Sequence, residues 1–172
     1  MFTDPVKNLR ALGLKEDDVV VDLGAGTGYY SISAGHIATA GKIYAIEIDR
    51  DFLHTIKNRA KDARLSNVEI ILGDVSKLKG TKIKDSIADV VIASNILFQV
   101  EDKEQLILEV KRILKQKGRV LLIDWSDSGI MSTKKNIVPK SKAREMFEKK
   151  GFILQRDIDA GAHHYGMILI KK

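Results

Sequence analysis

The sequence predicts an α/β fold built on a mostly parallel β-sheet. Short runs of apolar, β-branched residues alternate with segments of helical periodicity along the 172 residues. A glycine-rich turn, GAGTG, directly follows the first apolar run, VVVDL. The last two apolar runs are separated by only a few residues, a gap that can join only antiparallel strands. These observations predict a seven-stranded, mostly parallel sheet with helices on both faces and an antiparallel last strand.

The first half of the chain begins with the pattern of a helix N-terminus. Asp4 can cap a helix whose first residue is Pro5, and this helix should run to Leu12 and end at Gly13. The remaining elements of this half follow in alternation: strand 19–23, helix 27–38, strand 42–48, a helix that begins after Asp49, and strand 68–72.

In the second half, a strand is predicted over 87–94 from its apolar, β-branched residues. Asp102 and Gln105 resemble a capping box, so a helix should begin there, continue through Lys117 and end at Gly118. The predicted elements that follow are strand 119–125, loop 126–139, helix 141–150, strand 152–158 and strand 164–172.

Length and composition indicate one domain over residues 1–172, with 1–17 as an N-terminal helix and lead-in. The chain is 44% hydrophobic, enough for a single buried core. It has no cysteine, which excludes disulfides, thiolate metal sites and a cysteine nucleophile, and we expect no metal site of another kind. No apolar run approaches a membrane span and no signal peptide is apparent, so we expect a cytoplasmic protein that does not bind membranes.

The formal net charge is +6 and comes mostly from lysine. Clustered cations can bind a phosphate backbone, so an RNA partner is compatible with this charge. In the segments KRILKQKGR and KSKAREMFEKK, however, the cations are interspersed with other residues on predicted helix faces, including acids in the second segment. This arrangement favours a solvated, lysine-rich surface over a nucleic-acid site.

The glycine turn is typical of several nucleotide-binding folds. Glycines at positions 24, 26 and 28 let the backbone turn sharply and bring a ligand close to main-chain N–H groups. A P-loop would need Lys followed by Ser or Thr after Gly28, where the sequence has Tyr29 and Tyr30. A dinucleotide fingerprint would need glycine in place of Tyr29, which makes an NAD-dependent reductase or FAD protein a weaker alternative.

The pattern Asp-x-Gly-x-Gly-x-Gly over 22–28 resembles motif I of the class I S-adenosylmethionine (SAM)-dependent methyltransferases. Glu47 at the end of the second strand and LGDV after the third are similar to the family's ribose and adenine positions. SNILFQVED, LKQKGRVLLIDW and KKGF extend the resemblance along the chain, which is most similar to the quinone-biosynthesis branch. The resemblance implies a Rossmann-like fold, SAM as cofactor and S-adenosylhomocysteine (SAH) as its product.

The resemblance also implies a set of cofactor contacts. Asp22 would meet the ammonium of the methionine end of SAM, and Glu47 would accept from both ribose hydroxyls. Ile48 would pack on the adenine, Asp74 would accept from its exocyclic amine, and the Val75 N–H would donate to its ring. The complete implied set is Asp22, Gly24, Ala25, Gly26, Gly28, Glu47, Ile48, Asp74, Val75 and Asn95.

Candidate acceptor-binding residues lie after the fourth and fifth strands and in the final hairpin, because ligands of open parallel sheets bind beyond the carboxyl ends of the strands. His163 or His164 could act as general base. Adjacent strand residues face opposite sides, so at most one of the two can face a pocket. Loop 126–140 is a candidate substrate lid. The predicted pocket residues are Tyr29, Phe98, Gln99, Asp124 and Trp125.

Two absences narrow the acceptor. The segment 94–97, SNIL, lacks the Asn/Asp-Pro-Pro-Tyr/Phe motif typical of methyltransferases that act on base amines, and arsenite methylation needs cysteines. The predicted function is therefore methyl transfer from SAM to a small molecule. The alternatives are an RNA or protein methyltransferase and a catalytically silent SAM-binding module. The sequence predicts no particular oligomeric state.

Overall fold

The computed structural model describes residues 3–126 and 136–172. Over these residues helices and strands alternate as predicted. Their order is α1 Pro5–Leu12, β1 Val19–Leu23, α2 Tyr29–Ile37, β2 Lys42–Glu47, α3 Arg50–Asp62, β3 Val68–Leu72, β4 Ala88–Ser94, α4 Lys103–Ile113, β5 Leu114–Trp125, α5 Lys140–Lys149, β6 Phe152–Ile158 and β7 His164–Lys171.

The strands form one seven-stranded sheet in the order β3-β2-β1-β4-β5-β7-β6. β1 to β5 pair in parallel, whereas β7 runs antiparallel to both of its neighbours. The predicted fold class is confirmed. The strand order reverses where β1 lies beside β4, and in sheets of this kind the ligand crevice opens at that point, outside the carboxyl ends of the strands.

Two apolar layers cover the faces of the sheet. Leu9 of α1 and Ala34 of α2 are buried in one layer, and Val110 of α4 and Phe147 of α5 in the other. The Phe147 ring packs edge-on against Phe152, with ring centroids 5.3 Å apart. Neighbouring residues of the central strands alternate between the two layers, so both faces are buried, as VVVDL predicts. None of the helices in the described ranges is long and apolar enough to cross a bilayer.

The first helix has the predicted bounds. The Asp4 side chain accepts from the Lys7 N–H at 3.1 Å, and Gly13 ends the helix with a φ of 71°. Arg119 of β5 donates to the carbonyls of Leu12 and Gly13 at 3.0 and 2.8 Å, and these bonds hold the end of α1 at the sheet. The local cap and the long-range contact with Arg119 therefore both fix the end of α1 at Gly13.

The predicted end of the fourth helix is wrong. Its periodicity continues through Lys117, but α4 ends at Ile113 and β5 begins at Leu114, which is extended and fully buried. Lys171 of β7 donates to the carbonyls of Lys111 and Leu114, both at 2.7 Å. These carbonyls are satisfied from the sheet, so the chain leaves the helix one turn earlier than its periodicity indicates.

Candidate functional site

Two cavities lie at the carboxyl edge of the sheet and share Gly24, Gly26 and Gln99 in their walls. The larger cavity has a volume of about 640 Å³, and the smaller about 570 Å³. Both sizes fall in the usual range for small-molecule and cofactor sites. Asp22, Ala25, Tyr29, Tyr30, Asn95 and His164 line the larger cavity, and Glu47, Ile48, Phe52, Asp74 and Val75 line the smaller one.

The glycine turn connects β1 to α2. Its three glycines have φ values of 65°, 55° and 83°. The Ala25 N–H donates to the Ile46 carbonyl at 2.9 Å, and the Gly28 N–H donates to the Ala25 carbonyl at 2.8 Å. Gly26 donates its N–H to Glu47 at 2.8 Å. The turn is thereby attached to the end of β2, where the two cavities meet.

Glu47 is the last residue of β2 and is only 7% exposed. Its Oε1 accepts from the N–H groups of Ile48 and Asp49 at 2.8 and 3.0 Å, while Oε2 accepts, among the described residues, from Gly26 alone. A carboxylate oxygen has two acceptor sites, so Oε2 can accept one further hydrogen bond from a ligand in the smaller cavity. The carboxylate is thus held by three backbone groups and still available.

Asp22 lies near the end of β1, is 2% exposed and lines the larger cavity. Burial raises the pKa of its carboxyl to about 6, although a hydrogen bond from Ser31 at 2.6 Å opposes that rise. The negative charge of Glu47 raises the pKa of Asp22 further. No ion pair to Asp22 is found among the described residues, and a cationic group of a ligand would stabilise its charged form.

The smaller cavity combines exposed apolar side chains with an acid. Ile48 is 62% exposed and Phe52 is 40% exposed, although Phe52 fits the apolar stripe of α3. Asp74 accepts from the N–H and hydroxyl of Ser76 at 3.0 and 2.5 Å. The Lys77 ammonium, 2.8 Å from Asp74, and Ser76 lower the pKa of Asp74 to about 2. This wall can cover a flat ring and accept hydrogen bonds at its edge.

Asn95, directly after β4, has the left-handed φ of 54°. Its N–H donates to the Ile123 carbonyl at 2.8 Å, and its own carbonyl accepts from the Gln99 side chain at 2.6 Å. Its side-chain Oδ1 is buried and has no hydrogen-bond partner in the described parts of the chain. A buried acceptor without a donor is destabilising, so Asn95 is ready to bind a donor group of a ligand.

The final hairpin brings His164 to the site. β7 begins at His164, which pairs with Trp125 at the carboxyl end of β5, so the hairpin tip lies at the predicted edge of the sheet. His164 is 8% exposed and lines the larger cavity, with its ring 4.1 Å from that of Trp125. His163 is partly exposed and does not line either cavity of the described structure.

Three predicted pocket residues line neither of the two cavities: Phe98, Asp124 and Trp125. Asp124 is 1% exposed and accepts from the N–H groups of Leu97 and Trp125, both at 2.8 Å. Burial raises the pKa of Asp124 to about 6, and backbone N–H groups oppose that rise. Asp124 therefore holds the turn after β4, and Trp125 supports the His164 ring.

Four lining residues of the larger cavity were not predicted from the sequence: Thr3, Pro5, Tyr30 and Ser94. Tyr30 is 7% exposed, and its hydroxyl accepts from the Asn8 side chain of α1 at 2.8 Å. This contact brings the start of α1 over the end of β1. The only sequence signal for Tyr30 was the pair of tyrosines after Gly28. The first of the pair, Tyr29, is 63% exposed and lies beneath the Arg59 guanidinium, 4.2 Å away.

The described walls of the two cavities are acidic. They contain Asp22, Glu47, Asp74, Glu101 and Asp102, against the single cation Lys77. Such walls favour a ligand with a cationic group and oppose a pyrophosphate.

Within the described ranges no group of three or more His, Asp or Glu side chains could hold a metal ion. Of the candidate lid 126–140, residues 127–135 lie outside the described residues.

A Rossmann-like sheet with a glycine turn at its switch point defines a class of proteins that bind a nucleoside cofactor at the carboxyl edge. Residues 14–161 match the family model described as methyltransferase domain, and the chain belongs to this family. S-adenosylmethionine is the cofactor that the family implies. The resemblance to the SAM-dependent methyltransferases, first seen in motif I, is confirmed.

Known relatives and structures agree with this assignment. The chain is similar to demethylmenaquinone methyltransferase of Bacillus mycoides (strain KBAB4), with 25% identity over 133 residues, 77% of this chain and 55% of the relative. Ribosomal protein L11 methyltransferase of Thermotoga neapolitana is 31% identical over 141 residues, 82% of this chain and 46% of the relative. The chain thus spans about half the length of these curated relatives.

A solved structure shows the same fold. The crystal structure of a SAM-dependent methyltransferase from Aquifex aeolicus superposes with a TM-score of 0.89 and 22% sequence identity. The superposition covers 99% of this chain and 91% of that one. At this identity the likeness supports the Rossmann-like architecture alone.

Proposed function

We propose that this chain transfers the methyl group of SAM to a small-molecule acceptor. The observation that carries this proposal is Asp22, a buried carboxylate without a described cation, beside the glycine turn in the larger cavity. The methionine end of SAM carries an ammonium that fits Asp22 and a carboxylate that fits the N-terminus of α2. The unpaired Oδ1 of Asn95 offers the ammonium another acceptor.

The smaller cavity fits the nucleoside part of SAM. Glu47 would accept from the ribose hydroxyls, because its Oε2 has a free acceptor site. Ile48 would cover one face of the adenine with its exposed side chain, and Asp74 would accept from the exocyclic amine. Because the walls are acidic, the pyrophosphate of NAD or FAD would meet repulsion there.

When bound, SAM supplies an activated methyl group on a positively charged sulfur. The chain's own residues have to align the acceptor with the bond that breaks and keep water out. The larger cavity suits this task, since Tyr29, Tyr30 and His164 bound it beyond the glycine turn. Positioning alone can supply much of the rate acceleration.

Surface charge favours a small acceptor over RNA. Lys140 pairs with Asp157 at 2.9 Å and Lys115 with Asp89 at 2.7 Å, so parts of both lysine-rich segments are neutralised locally. Arg119 is likewise 2.6 Å from Asp18. The names of the two relatives give a small-molecule acceptor, demethylmenaquinone, and a protein acceptor, ribosomal protein L11. Methyl-labelled SAM incubated with cell extract decides between them, and label in the RNA or protein fraction would contradict the small-molecule class.

Cofactor choice gives the first prediction. SAH should raise the melting temperature, since it binds only the folded state, and NAD should leave it unchanged.

Replacing Glu47 by Ala should weaken SAH binding by about 1–3 kcal/mol, the cost of unmet hydrogen bonds. Isothermal calorimetry measures this difference. Glu69→Ala is the control, because Glu69 lies on β3 and pairs with Lys42 away from both cavities. Stabilisation by NAD alone would refute the cofactor assignment, whereas unchanged affinity in Glu47→Ala would remove Glu47 from the ribose role.

The second prediction concerns pH. Because burial raises the folded-state pKa of Asp22 above its ordinary value of 3.8, the free protein loses stability as pH rises through about 6. An ammonium beside Asp22 lowers that pKa and offsets the loss. SAH should therefore bind best above pH 6, and its affinity should fall by about tenfold for each pH unit below it.

Asp22→Asn tests the assignment of this pH dependence. The amide keeps the size of the carboxyl group and can still accept from Ser31, but it does not titrate. Calorimetry between about pH 5 and pH 7 should show weaker binding that no longer changes with pH. A pH dependence retained in Asp22→Asn would assign it to another group and remove Asp22 from the ammonium role.

A further inference from the structure

We propose that His164 is the general base of the methyl transfer and that the acceptor is a neutral aromatic or enolic hydroxyl compound. This inference rests on the proposed function above. It concerns the acceptor side of the larger cavity.

The geometry at His164 is the main support. The residue is only 8% exposed, yet it lines the larger cavity together with Asp22, Tyr30 and Asn95. Neither ring nitrogen has a hydrogen-bond partner within the described residues. Trp125 stacks on the ring and holds its plane, with 34° between the two rings. Both ring nitrogens are therefore buried and unsatisfied beside the cavity, where a bound hydroxyl group would give one of them a partner, whereas a merely structural histidine would be hydrogen-bonded.

The protonation state of His164 is that of a general base. Burial and the charge of His163 lower the pKa of His164, so its ring is neutral at physiological pH and can accept a proton. The other titratable groups among the described lining residues of this cavity are Asp22 of β1 and Tyr29 and Tyr30 of α2. Asp22 is reserved for the cofactor ammonium by the proposed function, and burial raises the pKa of Tyr30 above its ordinary value, so that its hydroxyl keeps its proton.

The cavity walls narrow the acceptor. The described lining residues of the larger cavity include no Lys or Arg side chain that could pair with a phosphate or carboxylate of the acceptor. Tyr29, Tyr30 and Pro5 provide flat, largely apolar surfaces suited to a ring. A hydroxyl gains most from a base, and the proton of a phenol or enol passes to imidazole more readily than that of an aliphatic alcohol because its pKa lies closer to that of imidazole.

The step balances without a further reactant. A bond forms between the acceptor oxygen and the methyl carbon as the bond from that carbon to sulfur breaks. The hydroxyl proton moves to His164, which becomes an imidazolium and later loses the proton to water. The sulfonium becomes a neutral thioether, so its positive charge is replaced by that of the imidazolium.

The test uses methyl-labelled SAM and the small-molecule fraction of a cell extract, with SAH affinity measured separately. His164→Ala and His164→Gln should transfer about 10²- to 10⁴-fold more slowly, the usual contribution of a general base. Both should bind SAH within about twofold of the unmodified protein. Added imidazole should restore His164→Ala, which leaves space for it, more than His164→Gln. His36→Ala is the control, because His36 is exposed in the last turn of α2.

Each outcome decides the inference. A labelled methyl ether with imidazole rescue supports it. Label on nitrogen, carbon or sulfur, undiminished transfer in His164→Ala, or loss of transfer in His163→Ala alone would overturn it. If SAH binds and no fraction is labelled, both the transfer and this inference fail while the cofactor assignment stands. If SAH does not bind, the proposed function itself fails.

Discussion

Replacing Glu109 by Ala is expected to destabilise the fold by about 3–5 kcal/mol, the range for breaking a buried ion pair by removing one partner. Glu109 lies on α4 and is fully buried. Arg112, one turn further on, donates to it twice, at 2.8 Å through Nε and 2.7 Å through Nη2. Without Glu109 the guanidinium, whose side chain is only 12% exposed, would keep among the described residues one carboxylate partner, Asp85, and because Asp85 is 70% exposed it compensates the buried charge only weakly.

Glu109 also supports the cofactor site. It accepts from the Lys79 N–H at 2.7 Å and from the Thr81 hydroxyl at 2.5 Å. The segment it holds continues to Asp74, whose N–H donates to the Gly80 carbonyl at 3.0 Å. Loss of Glu109 should therefore release the segment that carries Asp74, and SAH affinity should fall along with stability.

The charge state of Glu109 gives the pH window. Burial alone would raise its pKa, but hydrogen bonds from Arg112 and Thr81 outweigh burial and hold that pKa below its ordinary value of 4.5. A depressed folded-state pKa stabilises the fold above the unfolded value, and this contribution disappears as pH falls through the folded value. The difference between the unmodified protein and Glu109→Ala should accordingly shrink below about pH 4.

Urea denaturation with calorimetric SAH binding measures both effects. Glu145→Ala is the matched control, since Glu145 also pairs with two basic residues, Lys142 and Lys149, but its side chain is 48% exposed. Exposed pairs contribute little, so this variant should unfold like the unmodified protein. Equal losses in the two variants would show that burial of Glu109 is not the cause.

Local signals predicted the elements of this fold and long-range contacts limited that prediction. Asp4 and Asp102 cap their helices as the sequence indicates, because capping depends on residues three positions apart. The end of α4 depends on Lys171, which is far away in the chain and meets Lys111 only after β7 has joined the sheet. Periodicity alone could not contain that information.

The distinction between local signals and long-range contacts also applies to the candidate site. Asp22, Glu47 and Asp74 were predictable together, because the ends of parallel strands meet at one edge. Asp124 also ends a strand, but its carboxylate faces backbone N–H groups, and an acid at a strand end looks the same in sequence in both cases. Tyr30 entered the site through its contact with Asn8, which requires α1 to fold over the sheet.

Replacing Gly24 by Ala should cost about 2–3 kcal/mol of stability, from two separable causes. A left-handed φ of 65° costs a residue with a Cβ about 1–2 kcal/mol. The added Cβ would also stand 2.6 Å from Cδ1 of Ile96, and because this atom is the far end of a side chain that can move, the overpacking should add only about 1 kcal/mol. Gly26→Ala is the control, since its φ is 55° but its Cβ would approach nothing closer than the Gly24 carbonyl, at 4.0 Å.

A double variant separates the two causes. Ile96→Val removes Cδ1, so Gly24→Ala combined with Ile96→Val should recover the overpacking part and retain the backbone part. Ile96→Val alone should cost about 0.5–1.5 kcal/mol, so the coupling is measurable by urea denaturation. Because Ile96 lines the smaller cavity beside Gly24, SAH affinity should follow the same pattern. If Gly24→Ala proved no more harmful than Gly26→Ala, the close approach of Ile96 would not constrain the glycine turn.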